Sequence, residues 1–494
     1  MTYFGLNTFI AITPEIFMLL ITSVLVIYGV VYNNKLITNR LIVLNNISIL
    51  SLFTLTIAVL ILLMSPYYST ITYNSVFIND DLTKAIKIIV LLGTITSILI
   101  SLNYLRFSAI RNFEYMLLIL LSTTGILLLI SSYNFISMYL SIELQGLSFY
   151  VLASMKRNSE YSTEASFKYF ILGVFSSGFL LFGFSLLYGI TGIINIEQFY
   201  KLFIEDVDAV QYIIIYIGLL LILISFLFKI GAAPFHVWLP DVYEGSPISV
   251  TAYFAIVPKI ALITVVVKSL ILVFYNIINQ LNFMLIASSI VSMVLASILA
   301  LYQTKIIRLL AYSAIGHMGY VLIGFCIFSI EAIQSMFLYM IIYIIMTINL
   351  YSAVMSLRSH VGNVEIKYIR ELINMSKNNP MLAINIAITL FSVAGIPPLA
   401  GFYSKLYVFS SAINDNMYLL AVIGVLTSVI AAFYYIYLIR IIYFDKSVIY
   451  VYLNSIDRNS AIIISITFLF IVLLFLFSSS ILQYTHYLSL LLSI

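Results

Sequence analysis

Apolar stretches of about twenty residues recur roughly every thirty residues along the chain, with short polar stretches between them. Runs of that length read as helices that cross a lipid bilayer. The alternative, a membrane β-barrel, needs strands of about ten residues that alternate polar and apolar, and that pattern is absent. The chain is therefore read as an all-α polytopic membrane protein with about fourteen transmembrane helices. They fall near 10–31, 41–64, 84–104, 114–131, 134–154, 165–190, 212–239, 248–274, 283–301, 309–328, 332–357, 380–413, 417–443 and 460–482. Longer connections are expected at 65–83, 191–211 and 358–379, and none has the composition of a linker. One structural domain is expected overall.

Two of these segments are interrupted by the same device. Segment seven contains Phe228-Lys-Ile-Gly-Ala-Ala-Pro-Phe235, and segment twelve contains Ala394-Gly-Ile-Pro-Pro-Leu-Ala-Gly401. Proline removes a backbone donor and clashes with the preceding turn, so Gly231 with Pro234, and Gly395 with Pro397 and Pro398, should break their helices. Broken helices at matching places in two halves point to inverted repeats with a site at mid-membrane. The expected organisation is 1–111 as helices 1–3, 112–275 as a first repeat of five helices and 276–445 as a second. Residues 446–494 then hold helix 14.

Charge sets orientation. Connections after odd-numbered segments carry Lys35, Arg40, Arg106, Arg111, Lys156, Arg157, Lys305, Arg308, Arg358, Lys367, Arg370, Lys377, Arg440, Lys446 and Arg458. The other face has Lys84, Lys87 and Lys201. About fifteen against three is a strong positive-inside bias, which puts both termini away from the cytoplasm or matrix. Met1 to Thr13 contain no Lys or Arg and resemble neither a transit peptide nor a signal n-region.

Composition narrows the function classes. The 494 residues are 63% hydrophobic and 9% charged, with mean hydropathy +1.14. One cysteine, Cys326, and the four histidines His236, His317, His360 and His486 cannot hold an iron–sulfur cluster, and no pair is spaced for haem or zinc. No metal site, glycine-rich nucleotide loop or nucleic-acid partner is expected. Redox chemistry or ATP hydrolysis would have to reside in a partner. The 38 Tyr and 35 Phe against 20 Gly and 9 Pro match the skew of AT-rich coding found in many organelle genomes.

Glu143, Lys229, Lys259, Lys268 and Lys405 lie inside apolar runs. A lysine at the bilayer centre costs roughly 2.5–3.5 kcal/mol on insertion scales, and such groups usually serve ion or proton transfer. The bland reading of Glu143 is a static ion pair, and that of Lys268 is a side chain snorkelling to the interface. At ~8 Å and an effective dielectric of ~20, one charge pair is worth about 2 kcal/mol, enough to switch a lysine between holding and releasing a proton. Lys229 precedes its break, near the negative end of a half-helix. Lys405 follows its break, nearer a positive end, so the two should titrate differently. His236 and His317 are candidate relays or, equally, hydrogen-bonded structural histidines. Glu164 and Lys168 form an i,i+4 pair whose default is an interfacial helix contact, with Lys168 a candidate relay. Lys305 and Arg308 read as anchors, although Lys305 could feed protons inward. Asp241 and Glu244 are expected in water.

Five strings carry a family resemblance: Glu143-Leu-Gln-Gly-Leu-Ser-Phe-Tyr150, Glu164-Ala-Ser-Phe-Lys-Tyr-Phe170, Phe228 to Pro247, Leu309 to Tyr320, and Ala394 to Phe402. The string Phe228 to Pro247 is the most specific of them. Across segments four to thirteen the chain resembles the antiporter-like membrane subunits of respiratory complex I, NADH:ubiquinone oxidoreductase. Among them it resembles the type with lysine, not glutamate, after the second break, and without a long lateral helix at the end. The resemblance implies Glu143 and Lys229 as an ion pair, Lys259 as the central relay and Lys405 as the gate. It implies proton translocation driven by quinone reduction in a neighbour, with FMN and iron–sulfur clusters in partner subunits and none in this chain. Other antiporter-like and small membrane-arm subunits, the lipid bilayer and a bound phospholipid are the implied partners. The implied place is the mitochondrial inner membrane, or a bacterial inner membrane. Two rival readings share these motifs, a subunit of a multisubunit cation/proton antiporter and a scaffold that holds the arm together without pumping.

Overall fold

The computed structural model describes residues 11–32, 37–65, 70–108, 110, 112–202, 209–360, 364–445 and 453–493. The loop cations Lys35, Arg111 and Lys446 lie outside the described residues. The described chain is almost entirely helical. It begins with α1 (Thr13–Tyr32) and α2 (Ile37–Met64), followed by a short antiparallel hairpin, β1 (Thr70–Thr72) and β2 (Phe77–Asn79). Then come α3 (Asp81–Phe107), α4 (Glu114–Ser131), α5 (Phe135–Ala153), α6 (Glu160–Thr191), α7 (Ile196–Leu202) and α8 (Ala209–Ile230). The middle of the chain forms α9 (Trp238–Gly245), α10 (Ile248–Ile256), α11 (Pro258–Val266) and α12 (Leu272–Leu301). The remainder forms α13 (Ile306–Ile327), α14 (Ile330–Ser356), α15 (Met375–Asn378), α16 (Pro380–Ala394) and α17 (Ala400–Asn414). The last three are α18 (Tyr418–Tyr443), α19 (Arg458–Leu473) and α20 (Ser478–Ser493).

Local chemistry explains where helices begin and end. The Asn134 side chain accepts from the N–H groups of Ile136 and Ser137 and starts α5. Asn379 caps α16, with Pro380 at its first position, where the missing N–H costs nothing. Hydroxyls inside the spans satisfy themselves: Thr22, Ser51, Thr94 and Ser122 each donate to a carbonyl three residues earlier. An apolar helix can therefore carry them into lipid without an orphaned donor.

Among the described residues, 12 helices are long and apolar enough to cross a membrane, or 13 if the bent pair α19–α20 counts as one. The expected count of about fourteen includes segment twelve, whose halves α16 and α17 are each 15 residues and too short alone. Segment fourteen is not the straight span expected at 460–482. The chain turns by 92° between α19 and α20, where the N–H groups of Leu476 and Phe477 bond three residues back in tight turns. No proline or glycine marks that turn, so hydropathy alone ran straight through it. Segments eight and nine also differ from expectation, since α12 is continuous helix across the connection expected after 274.

The chain divides into two compact units. The first comprises residues up to Ile98, Ser108–Ile230 and Gly245–Leu281. Within it α4 packs on α5, α6 on α8, and α1 on both α2 and α4. The second comprises Leu99–Phe107, Gly231–Glu244 and Asn282–Ile494. Its centre is α14, which touches α13, α17, α19 and α20. There Asn349 and Asn385 exchange hydrogen bonds of 3.1 and 2.7 Å, and Asn349 also donates to Thr467 Oγ1 at 3.0 Å.

Candidate functional site: lysines at helix discontinuities

Four of the five ionisable groups found in apolar runs sit where a helix is interrupted. In the first unit, α8 ends at Ile230 and leaves Lys229 in its last turn. The next residue, Gly231, has φ +80°, a left-handed conformation that a side chain would strain. The last carbonyls of α8 have no intrahelical donor, and a basic residue in the last turn stands at the negative end of the helix dipole. Glu143, on α5, acts on Lys229 and on Tyr139 and Tyr150 through its charge. Its buried Oε1 has no hydrogen-bond partner among the described residues. The pair is thus coupled at a distance, an arrangement that a small movement can strengthen or weaken.

Lys259 lies 3% exposed in the span Ile248–Ser269. That span is itself interrupted, at Val257 between α10 and α11, which the sequence reading treated as one helix. Pro258 has no N–H to offer the carbonyl of Phe254 one turn back. Lys259 follows it directly, beside a loosened stretch of backbone. Further along the same span, Lys268 occupies a π-helical turn, Val267–Ile271. It is not snorkelling alone, because its Nζ donates to Asp80 Oδ2 at 3.0 Å.

In the second unit, α16 ends at Gly395, whose φ is +89°, and α17 resumes at Ala400. Lys405 is on the second half-helix, as expected, yet its ammonium reaches back across the break and donates to Ala394 O at 2.9 Å. It therefore meets the negative end of α16, not the positive end of α17. The cause is reach: a lysine side chain is longer than the turn that separates the half-helices. The two lysines still differ in their neighbours, since the charge of Glu143 acts on Lys229 while Lys405 meets a backbone carbonyl. Lys405 Nζ also stands 5.3 Å from the centre of the Tyr320 ring, a cation–π distance.

Beside Lys405 a cavity of about 10 Å³ is lined by Ser313, His317, Tyr320 and Tyr435. A second, of about 20 Å³, lies against Ser313, His317, Tyr343 and Thr347. Each is about the size that holds one water. His317, 5% exposed, borders both, and its Nδ1 is 2.6 Å from the Tyr339 hydroxyl. His236 is half-buried, with its Nδ1 buried and lacking a partner among the described residues. Lys305 pairs with Glu244, and Arg308 pairs with Glu244 at 3.1 Å and Asp241 at 3.5 Å. Glu244, 19% exposed, is thus an ion-pair partner and not the solvated carboxylate expected. Lys168 pairs with Glu164 at 2.8 Å on an exposed face.

One buried pair escaped the sequence reading. Lys87, counted above as a loop cation, is fully buried on α3 and lies 2.5 Å from Glu15 of α1. A carboxylate two residues into the first span was the available signal. Its partner already lay inside the span expected at 84–104, close to its edge, and was counted with the loop cations; the helix runs from Asp81 to Phe107. Removing Lys87 from the loops sharpens the charge asymmetry between the two faces. No group of three or more metal-ligating side chains occurs among the described residues.

Residues 132–431 match the family model described as NADH:quinone oxidoreductase/Mrp antiporter, TM. The chain is 45% identical to NADH-ubiquinone oxidoreductase chain 2 of Marchantia polymorpha, over 98% of this chain and 99% of that one. It is 42% identical to the protein of the same name from Arabidopsis thaliana, over 98% and 97%. It is 41% identical to NADH-quinone oxidoreductase subunit N of Pelagibacter ubique, over 96% and 97%. In fold it is similar to a chain of respiratory complex I from Thermus thermophilus, with TM-score 0.78, 23% identity and coverage of 95% and 98%. It is equally similar to a chain of the Mrp complex from Dietzia, with TM-score 0.78, 18% identity and coverage of 99% and 97%. Shape alone therefore does not separate the two assemblies; the sequence identities do.

Proposed function

Because the chain belongs to the NADH:quinone oxidoreductase/Mrp antiporter transmembrane family, we propose that it is a proton-translocating subunit in the membrane arm of an NADH:ubiquinone oxidoreductase. The observation that carries this reading is the coincidence of buried lysines with helix discontinuities, at Lys229, Lys259 and Lys405. At the clearest of these, Lys405 donates to the Ala394 carbonyl freed by the break, a neutral partner from which the lysine can lose and regain its proton.

Charge displaced in a neighbouring subunit by quinone reduction shifts Glu143 relative to Lys229. A proton then leaves Lys229 for Lys259, and a second transfer, with His317 and adjacent water as carriers, passes through Lys405 to the far face. Moving one charge against ~150–200 mV needs roughly 3.5–4.5 kcal/mol. One pair at about 2 kcal/mol is insufficient, so several linked shifts are required. FMN and iron–sulfur clusters belong to partner subunits in this reading, and the chain's own residues hold, orient and move protons. The repeats are 112–275 and 276–445, with both termini on the intermembrane-space side of the mitochondrial inner membrane. A bound phospholipid has an apolar groove of about 380 Å³ available in the first unit, lined by Phe135, Tyr139, Leu181, Phe184 and Tyr188.

The test is the number of protons moved per NADH oxidised by the assembled complex in proteoliposomes. Lys229→Met and Lys259→Met should each lower it. An unchanged ratio in both variants rejects the pumping role. Loss of assembly in both favours the scaffold, and sodium-dependent transport without NADH oxidation favours the antiporter.

A further inference from the structure

Lys268 and the buried pair below it have no part in the mechanism above. Their surroundings in the first unit form a graded series. Lys87 and Glu15 are 0% and 1% exposed, Lys268 is 12% exposed and Asp80 is 27% exposed. The hairpin joins them, because its last strand ends at Asn79 and Asp80 follows directly. Asn79 Oδ1 accepts from Lys87 Nζ at 2.8 Å, and Asp80 Oδ2 accepts from Lys268 Nζ at 3.0 Å. The charge of Lys87 acts on Lys268. The second carboxylate oxygen of Asp80 is buried without a hydrogen-bond partner among the described residues, as are both oxygens of Glu15, which meet Lys87 only as an ion pair. The other charged groups at this end of α3 are Asp81 and Lys84, and Lys84 donates to Ser65 O at 3.2 Å.

We propose that Lys268, Asp80, Lys87 and Glu15 form a proton-exchange terminal connecting Lys259 to the membrane face that carries the hairpin, an assignment that rests on the proton-translocating reading above. Lys268 and Lys259 share one span, nine residues or roughly 13 Å apart along its axis. The Lys268 end of that span has lost regular α-geometry to the π-helical turn, a distortion that recurs at functional sites. In the transfer, an N–H bond of the Lys268 ammonium breaks and an O–H bond forms at Asp80 Oδ2. Both groups become neutral, and the partly exposed carboxylic acid then gives its proton to water. The Lys268 amine recovers a proton from the Lys259 side through water. Lys87, held by Glu15 and Asn79, supplies a fixed positive charge that favours departure of the proton from Lys268.

A purely structural pair needs only a permanent positive charge at position 268, whereas a terminal needs a proton that can leave. Arginine separates the two, since it keeps the charge and the contact but does not release its proton. The experiment is protons moved per NADH oxidised by the assembled complex in proteoliposomes, for Lys268→Arg beside Lys259→Met. The expected result is a loss in Lys268→Arg comparable to that in Lys259→Met. A normal ratio in Lys268→Arg with a lowered one in Lys259→Met overturns the terminal and leaves the pumping reading intact. A normal ratio in Lys259→Met removes the pumping reading itself. Should Lys268→Arg fail to assemble, Asp80→Asn is measured in the same way. A normal ratio there, or failure of that variant to assemble as well, assigns the pair a structural role and overturns the proposal.

Discussion

Replacing Lys87 by methionine is expected to reduce sharply the amount of this chain recovered in its assembled complex. Adding Glu15→Gln should restore part of the loss. Lys87 and Glu15 are buried to 0% and 1% exposure and stand 2.5 Å apart. Removing one partner of such a pair costs about 3–5 kcal/mol, because the other is left as an uncompensated charge. A neutral glutamine beside methionine removes that charge while keeping the volume, so the double variant should lose less than the single. The cost is a large share of the about 5–15 kcal/mol by which a domain is ordinarily stable. The readouts are recovery of intact complex on native gels and its thermal midpoint across the four members of the double-mutant cycle. A single variant as stable as the parent, or a double variant no better than Lys87→Met, would show that the pair contributes nothing.

Gly401→Ala should be the second severe change. A Cβ at Gly401 would stand 1.8 Å from Ser392 O and 2.7 Å from Ser392 C. The obstacle is backbone, which cannot rotate aside as a side chain can. The Gly401 N–H also donates to Ser392 Oγ at 3.0 Å, so the contact is both close and specific. Overpacking costs about 1–3 kcal/mol where neighbours can adjust, and the rigid carbonyl puts this site at the upper end of that range or beyond it. The half-helix α17 would have to move away from α16, carrying Lys405 off the Ala394 carbonyl one turn later. The expected result is a lower thermal midpoint together with fewer protons moved per NADH oxidised. Gly178→Ala is the control, since nothing lies within 4 Å of a Cβ there. A Gly401→Ala complex that melted and pumped like that control would refute the close-packing argument.

Much of the architecture was legible because lipid imposes a simple rule. An apolar run of some twenty residues has few stable alternatives to a helix, so the spans were found to within a few residues. The breaks at Gly231 and Gly395 were legible too, since glycine and proline act through their own backbone chemistry. Other interruptions were not. The turn between α19 and α20 lies in Leu474-Phe-Leu-Phe477, which has ideal hydropathy for a straight helix. The break at Pro258 was visible in principle, yet only one proline marked it.

The buried lysines show the same division. Lys229, Lys259 and Lys405 announced themselves by their position in apolar runs, and Glu143 by its sign. Lys87 did not, because it lies at the edge of its run and reads as a loop residue until Glu15, some seventy positions earlier, is brought against it. The direction in which Lys405 points was equally hidden, for it depends on how two half-helices overlap and not on which residues compose them.

What the amino-acid order determined by itself was the number of crossings to within one or two, and which side chains would be costly enough to need a use. These follow from transfer free energies and backbone chemistry, which are properties of single residues and short windows. What only the tertiary structure decided was partnership: Lys87 with Glu15, Lys268 with Asp80, Lys405 with the end of α16. Pairing depends on distances between elements far apart in the chain, and charges act on one another through space, not along the backbone.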